Sequence, residues 1–459
     1  MRRKAIFLTV LWFAAGREAA WPQTPPPLPV PNPAALARQV SARQIRANIQ
    51  KLASFGTRHT LSAADAQAVQ AGRGIGAARE WIKQEFERYS AACGGCLKVE
   101  FQSYVQEPAE RVARPTEIVN VVATLTGSDP ENAGRIYVVT GHYDSRNSDP
   151  LDAAGDAPGA NDDASGTAVS LECARVLSQY RFPATIVFMA VAGEEQGLLG
   201  ARHFARTAKS EGRNIAAVLN NDIVGGNQTP GVTQQRPGLV RVFSEGIPQA
   251  ATEAEIRQLR ALGGENDSAS RQLARYIAEV ARKHLRAGFG PELIFRRDRY
   301  LRGGDHSAFN DSGFAAVRFT EYREDYNHQH QNPRTEGGVE YGDLPKFVDY
   351  AYVANVARLN LATLAELALA PAPPASVRLL TKELQNDSTL TWEVSPGGLA
   401  AGYEVLWRRT TAAEWEGARP AGNVTRVTLP RSKDNVIFAV RAVGARGNKS
   451  LAVVPAPAR

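Results

Sequence analysis

Five short fragments of the chain concentrate side chains that bind cations. They are Gly141-His142-Tyr143-Asp144-Ser145, Gly159-Ala160-Asn161-Asp162-Asp163-Ala164-Ser165-Gly166, Gly193-Glu194-Glu195-Gln196-Gly197, Asn220-Asn221-Asp222 and, far downstream, His328-Gln329-His330. Together they offer carboxylate and imidazole in the mixture that a pair of zinc ions takes up. Zinc acidifies water and polarises a carbonyl, so the chemistry open to such a set is hydrolysis. Any one fragment alone reads as a solvated charged face; their positions in the chain give them weight.

Residues 135–140 (Arg-Ile-Tyr-Val-Val-Thr), 185–192 (Thr-Ile-Val-Phe-Met-Ala-Val-Ala) and 215–220 (Ile-Ala-Ala-Val-Leu-Asn) are near-continuous apolar runs of strand length. Each ends just before a candidate ligand: His142, the Glu194-Glu195 pair and Asp222. Ligands gathered past the carboxyl ends of parallel strands mark the active edge of an open α/β sheet. Between the strands, Val169, Cys173, Val176 and Leu177 follow helical spacing within residues 167–180, and residues 77–89 and 268–285 read as amphipathic helices. The alternation predicts a doubly wound, mostly parallel sheet flanked by helices.

That placement suggests roles. Asp162 lies in a Gly/Asn/Asp-rich loop just before a helix start, where a carboxylate held rigidly can offer one oxygen to each of two metals. Glu194 and Glu195 are consecutive, so their side chains diverge; one can bind metal while the other faces the water. His142 and Asp222 would complete one metal, Glu195 and a downstream histidine the other. Asp144, two residues beyond His142, is placed to fix the imidazole tautomer.

These residues resemble the co-catalytic dizinc aminopeptidases and carboxypeptidases of the bacterial leucyl aminopeptidase type, family twenty-eight of the metallopeptidases. The resemblance covers roughly residues 40 to 368, and Gly159 to Gly166 matches the family's Gly-Ala-x-Asp-x-Ala-Ser-Gly pattern. It implies two zinc ions per chain held by His142, Asp162, Glu195, Asp222 and a C-terminal histidine, with Glu194 as general base and a strained peptide bond at Asp162-Asp163. The last ligand departs from the family's usual Tyr-His-Thr. Counting from Asp305-His306 and the Gly313-Phe314-Ala315-Ala316-Val317 run favours His330 over His328; His306 reads as structural or as a support behind the ligands, and His203 and His284 as surface or core residues.

Substrate choice is set by charged pocket residues that no motif fixes. The one cationic cluster near the site, Arg296, Arg297, Arg299 and Arg302, could clamp a carboxylate, but arginines in such runs are more often ion-paired. The expectation is therefore an aminopeptidase acting on peptide or protein, with a carboxypeptidase or dipeptidase as the alternative. Glutaminyl cyclases and non-catalytic receptor ectodomains share the resemblance but lose metal ligands; here every position is filled.

The remainder frames this domain. Residues 1–20 carry a basic start (Arg2, Arg3, Lys4) and a twelve-residue apolar run, reading as a signal peptide too short to be a stable membrane span, so a periplasmic or secreted location is expected. The formal charge of +7 falls to +4 once four basic residues and one acid of that segment are removed. With basic residues scattered and no aromatic-interleaved stripe, nucleic acid is excluded as a partner. Residues 21–38 form a Pro-rich leader expected to be extended, and residues 39–369 the dizinc peptidase domain. Residues 375–456 form short alternating strands resembling a fibronectin type III sandwich, with Trp392 and Tyr403 as core anchors and Trp415 exposed. Cys93 and Cys96 are expected to pair across a turn, with Cys173 buried and free.

Overall fold

A computed structural model describes residues 31–285, 287–382 and 384–458. Its larger region is organised by β1 (Leu97–Gln106), β2 (Thr116–Leu125), β3 (Arg135–His142), β4 (Thr185–Val191), β5 (Asn214–Asn221), β6 (Leu239–Ser244), β7 (Gly290–Ile294) and β8 (Ala316–Glu321). They form one eight-stranded sheet in the order β1-β2-β4-β3-β5-β8-β6-β7. The centre, β4-β3-β5-β8, is parallel; β1 with β2, β2 with β4 and β6 with β8 are antiparallel.

Helices cover both faces, which is why the central strands read as unbroken apolar runs. Tyr137 and Val139 of β3, with Ile186 and Phe188 of β4, join the larger core with the helices Ala42–Ala53, Gly74–Ala92, Ala164–Leu177 and Tyr350–Leu369. Their neighbours Val138, Val187 and Met189 face Phe204 of Leu199–Ser210 and Phe309 of Asp305–Asp311. Each such side chain contributes about 1.5–3 kcal/mol through burial, so a one-residue slip of β3 or β4 would exchange the two cores at once.

Two glycines of the motifs exist to let backbones touch. A Cβ on Gly141, at the end of β3, would lie 2.5 Å from the Thr167 nitrogen, and one on Gly166 would lie 2.1 Å from the Asn221 carbonyl oxygen. The first turn of Ala164–Leu177 is thereby wedged between the ends of β3 and β5.

At the N-terminus the signal-peptide expectation and most of the leader lie outside the described residues. The leader's last part is helical rather than extended: Asn32 caps Pro33–Ala37 by accepting from Ala34 and Ala35, and Pro33 sits at the first helical position, where its missing N–H costs nothing. Cys93 and Cys96 are disulfide-bonded and Cys173 is a buried free thiol. No helix among the described residues is long and apolar enough to cross a membrane.

A small hairpin, β9 (Arg334–Glu336) and β10 (Val339–Tyr341), follows His330. Beyond Leu369 lie β11 (Ala375–Leu380), β12 (Ser388–Glu393), β13 (Ala400–Arg409), β14 (Gly417–Gly422), β15 (Arg426–Leu429), β16 (Val436–Gly444) and β17 (Ala456–Ala458). They form two sheets, β15-β12-β11-β17 and β14-β13-β16, that resemble an all-β sandwich. Trp392 and Tyr403 are buried in its core, their rings 5.5 Å apart. Trp415 is not exposed as expected: it is half-buried against the Arg275 and Arg408 guanidiniums, 5.9 and 5.8 Å from its ring. The sandwich meets the larger region through charged contacts, including the buried pair Arg408 to Asp267 at 2.7 Å and Arg441 to the half-buried Glu279 at 2.7 Å.

Candidate metal centre

The fragments converge at the carboxyl edge of the sheet. His142 ends β3, Glu194 and Glu195 follow β4, and Asp222 follows β5. Asp162 reaches in from the loop before Ala164–Leu177, and His330 from the loop before β9.

Asp162 lies at the middle. Its Oδ1 is 3.1 Å from His142 Nε2, and its Oδ2 is 2.9 Å from His330 Nε2. His142 Nε2 also faces Asp222 Oδ1 at 3.9 Å, and His330 Nε2 faces Glu195 Oε1 at 3.0 Å. Two trios result, His142-Asp162-Asp222 and Asp162-Glu195-His330, each with ligand atoms within 4.8 Å of one another; they share only Asp162. Glu194 can form a third with His142 and Glu195.

Local hydrogen bonds hold these groups in place. The peptide Asp162-Asp163 is cis. Asp343, 182 and 181 residues downstream of Asn161 and Asp162, accepts both of their backbone N–H groups at 2.7 Å. Asp163 accepts from the backbone N–H of Gly166 (2.8 Å), His142 (3.0 Å) and Ile223 (3.3 Å), tying the helix start to both strand ends. His142 Nδ1 donates to the main-chain carbonyl of Asp144 at 3.1 Å, leaving Nε2 with its lone pair towards the trio. The Asp144 carboxylate, 3.5 Å from His142 Nδ1, accepts the N–H groups of Glu194 and Glu195.

The donor set fits metal. Burial alone would keep the imidazoles neutral, yet the Asp144, Asp162 and Asp222 carboxylates pull His142 well above its ordinary range, and Glu195 and Asp162 carry His330 up to about 10. Burial and neighbouring carboxylates push Asp163 and Glu194 well up. The pocket is thus an anionic cavity that stabilises positive charge where the imidazole nitrogens meet Asp162. This buried cluster of His, Asp and Glu is compatible with one or two zinc ions.

The other candidates lie elsewhere. His328 stacks on Phe347 with ring centroids 3.6 Å apart and sits 3.3 Å from Asp325. His306 donates from Nε2 to the Arg297 carbonyl at 2.8 Å, burial lowering it to about 4. His203 stacks on Tyr104, and His284 lies 2.5 Å from Glu366. In the arginine run, Arg297 pairs with Asp311 and Arg299 with Asp298 and Glu324. Arg302 alone of that run lines the cavity containing Glu194, Glu195 and His330.

Sequence reasoning passed over three supports. Arg58, fully buried, donates to the carbonyls of Leu52, Tyr143, Pro158 and Gly159, and nothing in its sequence neighbourhood signals this. Asp343 is equally silent. Arg318, fully buried 2.8 Å from Asp222, did leave a signal: it interrupts the apolar run Ala316-Val317-Arg318-Phe319 of β8.

Residues 120–336 match the model of peptidase family M28. A protein described as a probable zinc metalloprotease, from Pyrenophora teres f. teres (strain 0-1), is 48% identical over 448 residues, covering 96% of this chain and 91% of that protein. Among solved structures, the Legionella pneumophila LapA aminopeptidase superposes with a TM-score of 0.51 at 19% identity, covering 76% of this chain and 78% of that one. LapB from the same organism gives 0.52 at 20% identity, over 75% and 77%. These two are similar in fold. Near-half identity along almost the whole length, and a family match spanning the strand ends that carry the trios, place this chain in peptidase family M28, as a metallohydrolase.

Proposed function

We propose that this protein is an exported dizinc aminopeptidase. The observation that carries the reading is the sharing of Asp162: its two oxygens face different histidines, so two cations can be held side by side with Asp162 between them. His142 and Asp222 would hold one, Glu195 and His330 the other. Bound zinc would supply acidified water and polarise the scissile carbonyl.

Glu194 is then free for proton transfer, because each trio is complete without it and its carboxylate opens into the same cavity as Glu195 and His330. It would take a proton from water and return it to the leaving amine. Asp144 positions Glu194 through the main chain. A free ammonium is supported by a second cavity, of about 780 Å³, that Asp162 lines together with Asp325 and Glu340; burial pushes the two further carboxyls of its wall, Glu321 and Asp343, up to about 8 and about 7. Export rests on the basic and apolar composition of residues 1–16, and the accessory sandwich is read as fibronectin type III-like.

The test joins metal content to turnover. The zinc-loaded protein is expected to cleave an aminoacyl anilide and to spare an N-blocked dipeptide. Glu194→Gln should lose about 10²–10⁴-fold in kcat while still binding two zincs per chain. Cleavage of the blocked dipeptide alone would overturn the aminopeptidase reading, and near-normal turnover by Glu194→Gln would remove the base.

A further inference from the structure

The cavity of about 570 Å³ that contains Glu194, Glu195 and His330 is also lined by Arg111, Arg146 and Arg302. These come from three separate loops: the β1–β2 connection, the segment after β3, and the segment after β7. Resting on the aminopeptidase reading, we infer that this cavity is the leaving-residue subsite and that its arginines bind a substrate carboxylate, so that short peptides with a negative charge on the leaving residue are the preferred substrates.

The direction follows from Glu194. The group that returns a proton to the leaving amine must lie on the leaving-group side. Glu194 lines the arginine cavity, whereas the acid-lined cavity beside Asp162 lacks it. A substrate crossing the centre therefore places its ammonium end towards the carboxylates and its far end towards the guanidiniums.

Charge balance makes those guanidiniums available. Arg111 is exposed, and the contact that places it is a donation to the Glu195 main-chain carbonyl at 3.0 Å, which neutralises nothing. Val112, fully buried, anchors the loop that delivers it. Arg302 leans on Glu324 at 3.1 Å, but that buried carboxylate also serves Arg241 and Arg299, each at 2.8 Å, so Arg302 shares its acidic partner with two other guanidiniums. Arg146 donates from Nε to Glu195 Oε2 at 2.9 Å, and its Nη2 lies 2.6 Å from His330 Nδ1.

That last contact cannot coexist with metal binding at His330 Nε2. An imidazole that gives its Nε2 lone pair to a cation carries its proton on Nδ1 and becomes a donor there, while a guanidinium can only donate. With a cation on His330 Nε2, Nδ1 would carry the proton and could not accept from Arg146 Nη2, which lines the cavity and would be left for a substrate carboxylate. Glu195, as a ligand, would share its charge with that cation. Arginine is the side chain whose planar fork matches a carboxylate in bidentate fashion. The carboxylate can be the C-terminal one of a dipeptide or the side chain of an acidic leaving residue; both present the same group.

The experiment compares kcat/KM of the zinc-loaded full chain on Leu-Ala, Leu-Ala-amide, Leu-Glu-amide and leucine p-nitroanilide. At least one carboxylate-bearing peptide is expected to exceed Leu-Ala-amide by about tenfold or more, the gain of a charge-assisted contact, and mostly through KM. An advantage for Leu-Ala assigns the C-terminal carboxylate, and one for Leu-Glu-amide assigns the side chain. Arg111→Gln should bring the favoured ratio close to one. If the wild type turns over the anilide yet treats all three peptides alike, the subsite is wrong and the aminopeptidase reading stands. If the anilide and every peptide are left intact, the reading itself falls and this substrate assignment with it. A full carboxylate preference surviving in both Arg111→Gln and Arg302→Gln also overturns the arginine assignment.

Discussion

Asp144 Oδ2 accepts the backbone N–H of Glu195 at 3.2 Å, while its Oδ1 accepts that of Glu194 at 3.3 Å and Thr60 adds a hydroxyl at 2.9 Å. A fully buried carboxylate thus fixes the main chain from which both glutamates project. In Asp144→Asn one oxygen becomes an NH₂ group, which in either orientation must face the backbone N–H of Glu194 or of Glu195. Metal-site supports of this kind typically cost 10–100-fold when removed. Asp144→Asn is expected to keep its zinc, because the His142 tautomer rests on the Asp144 main-chain carbonyl, and to lose about 10–100-fold in kcat/KM. Zinc content and kinetics measured on one preparation check this; loss of metal in proportion to activity would show that the carboxylate acts on the ligands instead.

Arg318 bears on the metal-free state. Its guanidinium lies 2.8 Å from Asp222 and 3.3 Å from Asp298, with no exposure to solvent. Arg318→Met leaves two buried carboxylates facing an apolar side chain, and breaking such a pair costs about 3–5 kcal/mol. A cation at Asp222 would relieve part of that cost. The variant should therefore show a wider gap in Tm between zinc-loaded and chelator-treated protein than the wild type does. An unchanged gap would place the cation away from Asp222.

The strands that carry ligands were legible because a centre buried on both faces leaves unbroken apolar runs, and each run stops where backbone gives way to ligand. The antiparallel margins were harder to read. β1 (Leu97–Gln106) has a half-exposed, polar-rich pattern and finds its place only by pairing with β2. Of the site, His142, Asp162 and Glu195 sat in short motifs with glycines, and two of those glycines are explained by backbone contact at Gly141 and Gly166. The buried supports were invisible for a physical reason: Asp343 and Arg58 act on main-chain groups distant in sequence, and a hydrogen bond to backbone leaves no complementary residue to find. Trp415 was misjudged because one of the two guanidiniums that cover it, that of Arg275, comes from a segment 140 residues away.

Asp267 tests how firmly the sandwich is joined to the peptidase region. It is buried, 2.7 Å from Arg408 and 3.5 Å from Arg275, both themselves nearly free of solvent. One carboxylate balances two guanidiniums. Asp267→Ala leaves both cations without it in a dry contact, at a cost of about 3–5 kcal/mol. Equilibrium unfolding in urea should show the midpoint falling and one transition remaining, since the contact spans both regions. A separate early transition for the sandwich would mean that it unfolds independently.

Glu366 gives the same junction a pH dependence. Burial would raise its carboxyl, but His284 and Lys283 (2.5 and 2.6 Å) and Asn448 (2.6 Å) hold it down at about 2, against an ordinary 4.5. A depressed folded value means that the unfolded chain takes up the proton first as pH falls. Its stabilisation is therefore present in full above about 4.5 and is lost as pH falls towards 2. The size is on the order of 3 kcal/mol by linkage. Glu366→Gln cannot ionise, so at neutral pH it should melt below the wild type, and the two should approach each other between pH 5 and 2.5. The metal ligands titrate in both proteins and cancel in the difference. Melting followed by circular dichroism across that range decides the matter: a Tm difference that does not change with pH would show that the interactions at Glu366 do not depend on its charge.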